Sequence, residues 1–393
     1  MNGILILNTG SSSLKFGLYR AAPDPELLVD GQVERIGQNA RLIISTRAQS
    51  SKQSIVANSH PEALTAVLLA LEAFRGELEI AGIGHRIVHG GTQFTKPALL
   101  TPETIAALHE LSPLAPLHQH HNLAGVDMAL KAFPNAIQIG CFDTSFHRDH
   151  PWVNDTFALP RSFYDQGVRR YGFHGLSYDY ITGVLASDYP DLHQGRVVVA
   201  HLGNGASMCA IKAGRSIGST MGFTALDGLP MGTRCGQLDP GVVLYLMRQN
   251  GMSPDDVAEL LYRRSGLLGL SELSSDMRTL LESDNPKAAE AIDYYVFRAR
   301  REIGAMTAVL GGLDALVFCG GIGENASVIR ARIVADLEYL GLVVDQENND
   351  ANARDIGRGS TRLMVIPTDE ERVMARAVEA HLALADATAA TPA

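Results

Sequence analysis

The stretch ILILNTGSSSLKFGLY, residues 4–19, decides how the rest of the chain is read. An apolar run, Ile4 to Leu7, breaks at Asn8 into five small or turn-forming residues, Thr9 to Ser13. Leu14, Phe16 and Leu18 then alternate with Lys15, Gly17 and Tyr19, the period-two pattern of a half-buried strand. Strand, small-residue loop, strand is the outline of a hairpin, and two chemistries fit its tip. It is a tight turn, or a loop whose backbone N–H groups and hydroxyls hold a phosphate. Lys15 stays open in the same way, as a solvated lysine or as a point charge on a phosphate.

The outline recurs at the start of the second half. VVVAHLGNGASMCAIKAG (197–214) is again strand, small-residue loop, strand, and DALVFCGGIGENASVIRARI (314–333) reads as strand, glycine loop, helix. Two related β-rich units account for the repetition. Neither the Walker A pattern nor a Rossmann GxGxxG occurs, which removes the two commonest nucleotide fingerprints. Elsewhere ELLVDGQVERI (26–36), ARLIIST (40–46) and AIQIGCFD (136–143) read as strands. Ser59 with Glu62, and Thr368 with Glu371, predict capping boxes, and Thr101–Pro102, Ser253–Pro254 and Pro286 predict further helix starts.

Composition narrows the function classes. Lys and Arg number 33 against 43 Asp and Glu, a net charge of −10 over 393 residues, so no basic field draws nucleic acid or an anionic membrane. An anionic substrate therefore needs locally placed arginines. At 46% hydrophobic and 19% charged residues, the chain has core enough for two or three domains. Cys141, Cys209, Cys235 and Cys319 lie far apart without a CxxC, which favours reduced thiols and a cytoplasmic protein over a zinc ribbon. No basic leader or apolar run of about 18 residues suggests export or a membrane span.

NTGSSSLKF, HRIVHGG (85–91), FDTSFH (142–147), RRYGFHG (169–175), HLGNGAS (201–207), MGFTALDGLPMGTR (221–234), SSDMR (274–278), GGIGENA (320–326) and IPTDEE (366–371) occur in the order found in acetate kinases. On these motifs the chain resembles that family over nearly its whole length. The resemblance implies an α/β protein of two RNase H-like (actin-like ATPase) domains around a nucleotide cleft. Residues 1–146 with 372–393 would form the N-terminal domain and its C-terminal helix, and 147–371 the nucleotide-binding, dimerising domain. It implies ATP, Mg²⁺ (with Mn²⁺ as a substitute), a small carboxylate substrate and a homodimer.

Residue by residue, the resemblance places the metal near Asn8 and Glu370, the nucleotide phosphates on Ser11, Ser13, Lys15, His201, Leu202, Gly203, Asn204 and Gly205, and the nucleotide on Asp276, Met277 and Arg278. Gly321, Ile322, Gly323, Glu324 and Asn325 would take its adenine and ribose. Arg86 and Arg234 would hold the carboxylate and the transferring phosphoryl group, with His174 donating to phosphoryl oxygens and Asp143 catalytic. A carboxylate acceptor, whose ordinary pKa is about 4, is already ionised at neutral pH, so Asp143 is expected to position a cation, water or arginine instead of acting as a base. Val88, Leu117, Phe173 and Ala225 would line the acyl pocket.

Four departures from the family pattern stand out, one of them GSTMG (218–222) where DTSMG is commoner. Ala225 replaces the proline of MGFTPLEG, which opens the acyl pocket toward propionate. HGLSYDY stands where HGTSH is commoner, and APLHQHHN (115–122) replaces APLHNPAN. His118, His120 and His121 in that last segment read as a loop or helix-start cluster; a metal site is the weaker alternative. Propionate or butyrate kinase, and an actin- or Hsp70-like nucleotide switch with no acceptor of its own, are the rival functions. A carboxylate clamp distinguishes the kinases from the switch.

Overall fold

The structure, a computed structural model, describes residues 1–10, 12–46, 49–116 and 118–389, so Ser11 and Leu117 lie outside the described residues. The chain divides into two compact units, one of Met1–Ser145 with the segment from Asp369 onward, the other of Phe146–Thr368.

In the first unit the strands are β1 (Asn2–Thr9), β2 (Ser13–Arg20), β3 (Glu26–Glu34), β4 (Arg41–Ser45), β5 (Ser50–Ser54), β6 (Glu79–Ile87), β7 (Ala98–Leu99) and β8 (Ile137–Phe142). They form one sheet in the order β5-β4-β3-β2-β1-β6-β8-β7. β1 to β5 pair antiparallel in succession, while β1, β6 and β8 run parallel. The opening stretch is the β1–β2 hairpin, with Thr9 paired to Leu14 and Asn8 to Lys15. Leu5, Leu7, Leu14, Phe16 and Leu18 join Leu64, Val67 and Leu71 of helix His60–Arg75 in one core. At about 1.5–3 kcal/mol for each fully buried large apolar side chain, this alternation is what sets the strand register. β5, SSKQS, is exposed throughout and carries no apolar alternation, so no periodicity announces it.

The second unit holds β9 (Arg196–Leu202), β10 (Ala206–Lys212), β11 (Arg215–Ser219), β12 (Ala315–Cys319) and β13 (Arg362–Val365), ordered β11-β10-β9-β12-β13. β9, β10 and β11 are antiparallel neighbours, and β9, β12 and β13 run parallel. That is the arrangement of β3-β2-β1-β6-β8 in the first unit. The repeated hairpin is thus the visible part of a repeated topology.

Both predicted capping boxes are corrected. Ser59 caps helix His60–Arg75 by accepting from Glu62 N–H, but the Glu62 carboxylate takes the N–H of Asn58 instead of closing the box on Ser59. At the last helix, Glu370–Ala389, Asp369 and not Thr368 accepts the first-turn N–H, from Arg372 at 2.9 Å. A full capping box does close at Ser253 with Asp256.

Candidate active site

In the first unit the site grows from β6. Gly82, Gly84 and Arg86 alternate onto one face of the strand, and helix Glu370–Ala389 packs on that face. A Cβ on Gly82 would meet Val378 at 2.5 Å, and one on Gly84 would lie 2.7 Å from Ile6 and 3.1 Å from Val378. The two glycines let the helix lie close, and Arg86, next along the face, reaches its first turn. Arg86 Nη1 sits 3.0 Å from Glu370 Oε2. Asp143, one residue beyond β8 and 2% exposed, is clasped from the other side: Arg86 Nε donates to Oδ1 at 3.0 Å and Nη2 to Oδ2 at 2.8 Å.

The charges in this cluster are unbalanced. Burial by itself would lower the Arg86 pKa, but Asp143 and then Glu370 raise it further, so the guanidinium is held charged. Burial pushes the Asp143 carboxyl upward; Arg86 opposes the shift, and Glu370 adds to it. Burial also raises Glu371, with Glu370 adding to the shift and Lys15 opposing it. Asp143, Glu370 and Glu371 all act on Arg86, and Asp369 adds to the field at Glu371, so carboxylates outnumber Arg86 and Lys15 in a way that suits a divalent ion. Mg²⁺ needs one or two carboxylate oxygens and keeps several waters, so Asn8 and Glu370 are a chemically adequate pair. Among the described residues no group of three or more His, Cys, Asp or Glu side chains is placed to hold a metal ion by itself.

Val88 is nearly buried beyond the arginine, its N–H donating to Asn122 Oδ1 at 3.0 Å. Asn122 Nδ2 in turn donates to the carbonyl of Thr9, which ties the end of β6 to the first glycine loop. Gln119, fully buried, accepts from His89 N–H and donates to the carbonyls of His89 and Leu108. The motif APLHQHHN stands out for its histidines, yet Gln119 and Asn122 between them do the bracing. His118 immediately precedes helix Gln119–Ala132, and His121 stacks on His60, which bonds the carbonyl of Gly10 at 2.8 Å.

In the second unit, loop Gly203–Gly205 of the β9–β10 hairpin lies beside Gly320–Asn325, because β9 and β12 run parallel and end together; the glycine loop expected after β12 is instead a short helix over Gly320–Asn325. Gly321 is open on its side-chain face, with nothing within 4 Å of where a Cβ would stand, so a ligand can approach its backbone. Glu324 is occupied: its carboxylate accepts from Gly320 N–H at 2.8 Å and Thr368 N–H at 3.1 Å. Asn325 donates to the carbonyl of Gly321. Asp276 caps helix Met277–Leu281 and pairs with Arg278, whose side chain is largely in solvent, while Met277 turns into the core.

His174 has a left-handed backbone, φ +57°, an uncommon conformation for a non-glycine residue, and it stands at the start of helix Gly175–Asp188. Its ring stacks on His201 with centroids 4.3 Å apart. A Cβ on Gly205 would sit 2.7 Å from Arg234 Nη2 and 3.1 Å from His174 Nε2, so the three converge where that glycine leaves room. Arg234 is steered by the carbonyl of Ala225, which accepts from Nη1 at 2.6 Å.

Besides Gln119 and Asn122, two further supporting residues have no counterpart among the sequence-predicted site. His147 bonds the carbonyl of Phe173 at 2.9 Å and Ser216 at 2.8 Å, holding the loop that presents His174; it lies inside the motif FDTSFH, which is the one signal pointing to it. Arg330 is fully buried and donates to the carbonyls of Gly323 and Glu324, to Asn349 and to Asn352, and so pins the short glycine-rich helix Gly320–Asn325. A cavity of about 220 Å³ in this unit, lined by Asn154, Arg170, Ser219, Asp227 and Glu302 among others, contains none of the predicted site residues.

Two units that share a five-strand order, each carrying a strand–loop–strand hairpin in it, are the actin-like ATPase fold. Residues 3–376 match the model of the acetokinase family. The acetate kinase of Methylocella silvestris is 51% identical over 98% of this chain and 99% of its own. Among solved structures, the acetate kinase of Porphyromonas gingivalis aligns at 36% identity with a TM-score of 0.86, covering 97% of this chain and all of that one. A propionate kinase from Francisella tularensis aligns at 34% and 0.89, covering 96% and 99%. The chain belongs to the acetokinase family.

Proposed function

We propose that the protein is an acetate kinase, a phosphotransferase that moves the γ-phosphoryl group of ATP to the carboxylate of acetate and releases acetyl phosphate and ADP, reversibly. The observation that carries the reading is the Arg86 fork, locked by Asp143 and Glu370 next to the small apolar side chain of Val88. A planar cationic fork beside a small apolar wall suits a short carboxylate, and a nucleotide switch has no use for one. Arg86 is assigned to the acceptor carboxylate and Val88, Phe173 and Ala225 to its methyl group, with Asp143 fixing the guanidinium. Arg234 and His174 Nε2 are assigned to the charge that develops on the transferring phosphoryl oxygens. One P–O bond forms to the carboxylate as the bond to the β-phosphate oxygen breaks, and no proton need leave the acceptor.

The phosphates are assigned to Ser13, Lys15 and the backbone of His201 to Gly205, and the nucleoside to Gly321, Ile322 and Gly323 with Asp276 and Arg278. Asn8 and Glu370 would hold Mg²⁺, with Mn²⁺ as a substitute; when bound, it supplies charge neutralisation on the phosphates. The proposal extends to a cytoplasmic homodimer. Helix Pro240–Arg248 has no buried residue and exposes Val242, Leu244, Tyr245 and Met247, an apolar face for a second copy to cover. Cytoplasmic placement is supported by the four thiols and the use of ATP. Among the described residues no helix is long and apolar enough to cross a membrane.

The test is ATP-dependent acyl phosphate formation, trapped with hydroxylamine, from acetate, propionate and butyrate. Acetate is expected to be preferred. No acyl phosphate from any of the three sinks the reading, and a monomer by sedimentation sinks the dimer.

A further inference from the structure

His174 Nδ1 lies 2.8 Å from Ser207 Oγ, and Ser207 Oγ lies 2.5 Å from the hydroxyl of Tyr178. All three groups are buried, Tyr178 completely. Each hydroxyl carries one proton; an arrangement in which Tyr178 and His174 Nδ1–H both donate to Ser207 would orphan the buried Ser207 proton, which leaves two senses in which the chain of bonds can run. In one, Tyr178 donates to Ser207, and Ser207 donates to a bare His174 Nδ1; every donor is then used. In the other, His174 Nδ1–H donates to Ser207 and Ser207 donates to the phenol oxygen, which leaves the buried Tyr178 O–H without an acceptor. An orphaned buried donor costs about 1–3 kcal/mol, enough to decide the sense.

We infer that Ser207, left with His174 Nδ1 as its only acceptor because Tyr178 offers it none, is a positioning residue that fixes His174 as the neutral tautomer with its proton on Nε2, the nitrogen facing Gly205 and Arg234. This deepens the reading of His174 as a donor to phosphoryl oxygen and rests on it. The other groups around the ring act in the same direction. His201 stacks on it from β9, and Arg234 brings a positive charge across Gly205 that disfavours a second cation on His174. Around the phenol lie the thiols of Cys209 and Cys319, and burial raises the Tyr178 pKa well above its ordinary value, so the phenol keeps its proton. A histidine ring can accept from Ser207; a buried phenol in this chain has to donate.

The test is ¹⁵N spectroscopy of histidine-labelled, ligand-free protein, with His174 assigned through His174→Gln, alongside pH profiles of kcat/KM. Wild type is expected to show a bare Nδ1 and a protonated Nε2. Tyr178→Phe keeps that state, because Ser207 must still donate to His174. Tyr178→His supplies an acceptor: the Nδ1-protonated and cationic forms grow, and the acid limb moves up by about one pH unit. Ser207→Ala leaves both tautomers populated. A protonated Nδ1 with a bare Nε2 in wild type overturns the inference, and so does a Tyr178→His protein whose spectrum and acid limb match wild type. The spectra are read without turnover, so absence of kinase activity would count against the proposed reaction alone.

Discussion

Asp143→Asn isolates the charge at the carboxylate clamp. The wild-type carboxylate accepts two good hydrogen bonds from Arg86, at 3.0 Å and 2.8 Å, with both oxygens used. The amide keeps one oxygen and turns an NH₂ toward a guanidinium N–H, so one charge-assisted bond is lost and two donors face each other. Such a bond contributes about 1.5–3 kcal/mol. At about 1.4 kcal/mol per decade, kcat/KM for acetate should fall between about ten- and 150-fold. Arg86 still has Glu370, so unfolding should ease by about 2 kcal/mol, below the roughly 3–5 kcal/mol of a fully orphaned buried charge. The assay is hydroxamate trapping in the forward direction and ATP formation in reverse, both at saturating Mg²⁺. The two directions should lose rate by the same factor, because the overall equilibrium is unchanged. Turnover within about threefold of wild type would refute any charge-dependent role for Asp143.

Gly205→Ala places a methyl group 2.7 Å from Arg234 Nη2 and 3.1 Å from His174 Nε2; the flexible arginine tip yields, so the thermal midpoint should hold while kcat drops about 100-fold. A normal kcat would show that the convergence there is not used. Arg330→Lys keeps the charge but loses the fork on Gly323, Glu324, Asn349 and Asn352, and is expected to raise KM for ATP and to lower stability by about 2–4 kcal/mol in chemical denaturation. Ala225→Pro should cut the propionate-to-acetate ratio of kcat/KM by up to about tenfold while its carbonyl still steers Arg234; an unchanged ratio removes Ala225 from the pocket. His85, buried against Gln138, has its pKa lowered from 6.5 to about 4. As the pH falls below 6.5 the unfolded chain takes up a proton that folded His85 refuses, so its stabilisation is full above 6.5 and fades toward 4. His85→Asn should therefore close its stability gap to wild type by about 2 kcal/mol between roughly pH 7 and 5, and a constant gap would contradict the shift.

What the sequence discloses and what it hides divide along physical lines. Glycine loops are legible because the backbone conformation and close approach they permit are local properties. The alternation of Gly82, Gly84 and Arg86 is legible as a strand face, but nothing local says that the helix from Glu370 covers it. By spacing alone Glu370 is a first-turn acid, and its pairing with Arg86 comes only from the fold. Arg330 sits in an ordinary helical pattern, and its partners come from segments on either side that no periodicity connects. Gln119 and Asn122 are masked by the louder histidines between them. The capping boxes fail for the opposite reason: the pattern is local and correct in type, but a neighbouring acceptor or donor, Glu62 on Asn58 and Asp369 on Arg372, offers a better partner one residue away.

The two hairpins show where function diverged on a repeated frame. The last rung before the loop is Thr9–Leu14 in one unit and Leu202–Ala206 in the other; the rung before it is Asn8–Lys15 and His201–Ser207. Partners on a rung share a face with their Cβ atoms about 4.5–5.5 Å apart, so this penultimate rung presents a fixed pair of side chains just below whatever the loop holds. In the first unit the pair is an amide and an ammonium, suited to a cation and the anions around it. In the second it is an imidazole and a hydroxyl, and the hydroxyl is the hub between Tyr178 and His174. Topology placed both pairs at the same point of the fold, and the residue types made one a charge site and the other a proton-ordering site. A substitution on this rung, unlike one on the loop itself, should therefore change chemistry while leaving the hairpin register intact: Ser207→Ala should lose the His174 tautomer and keep the pairing of Leu202 with Ala206.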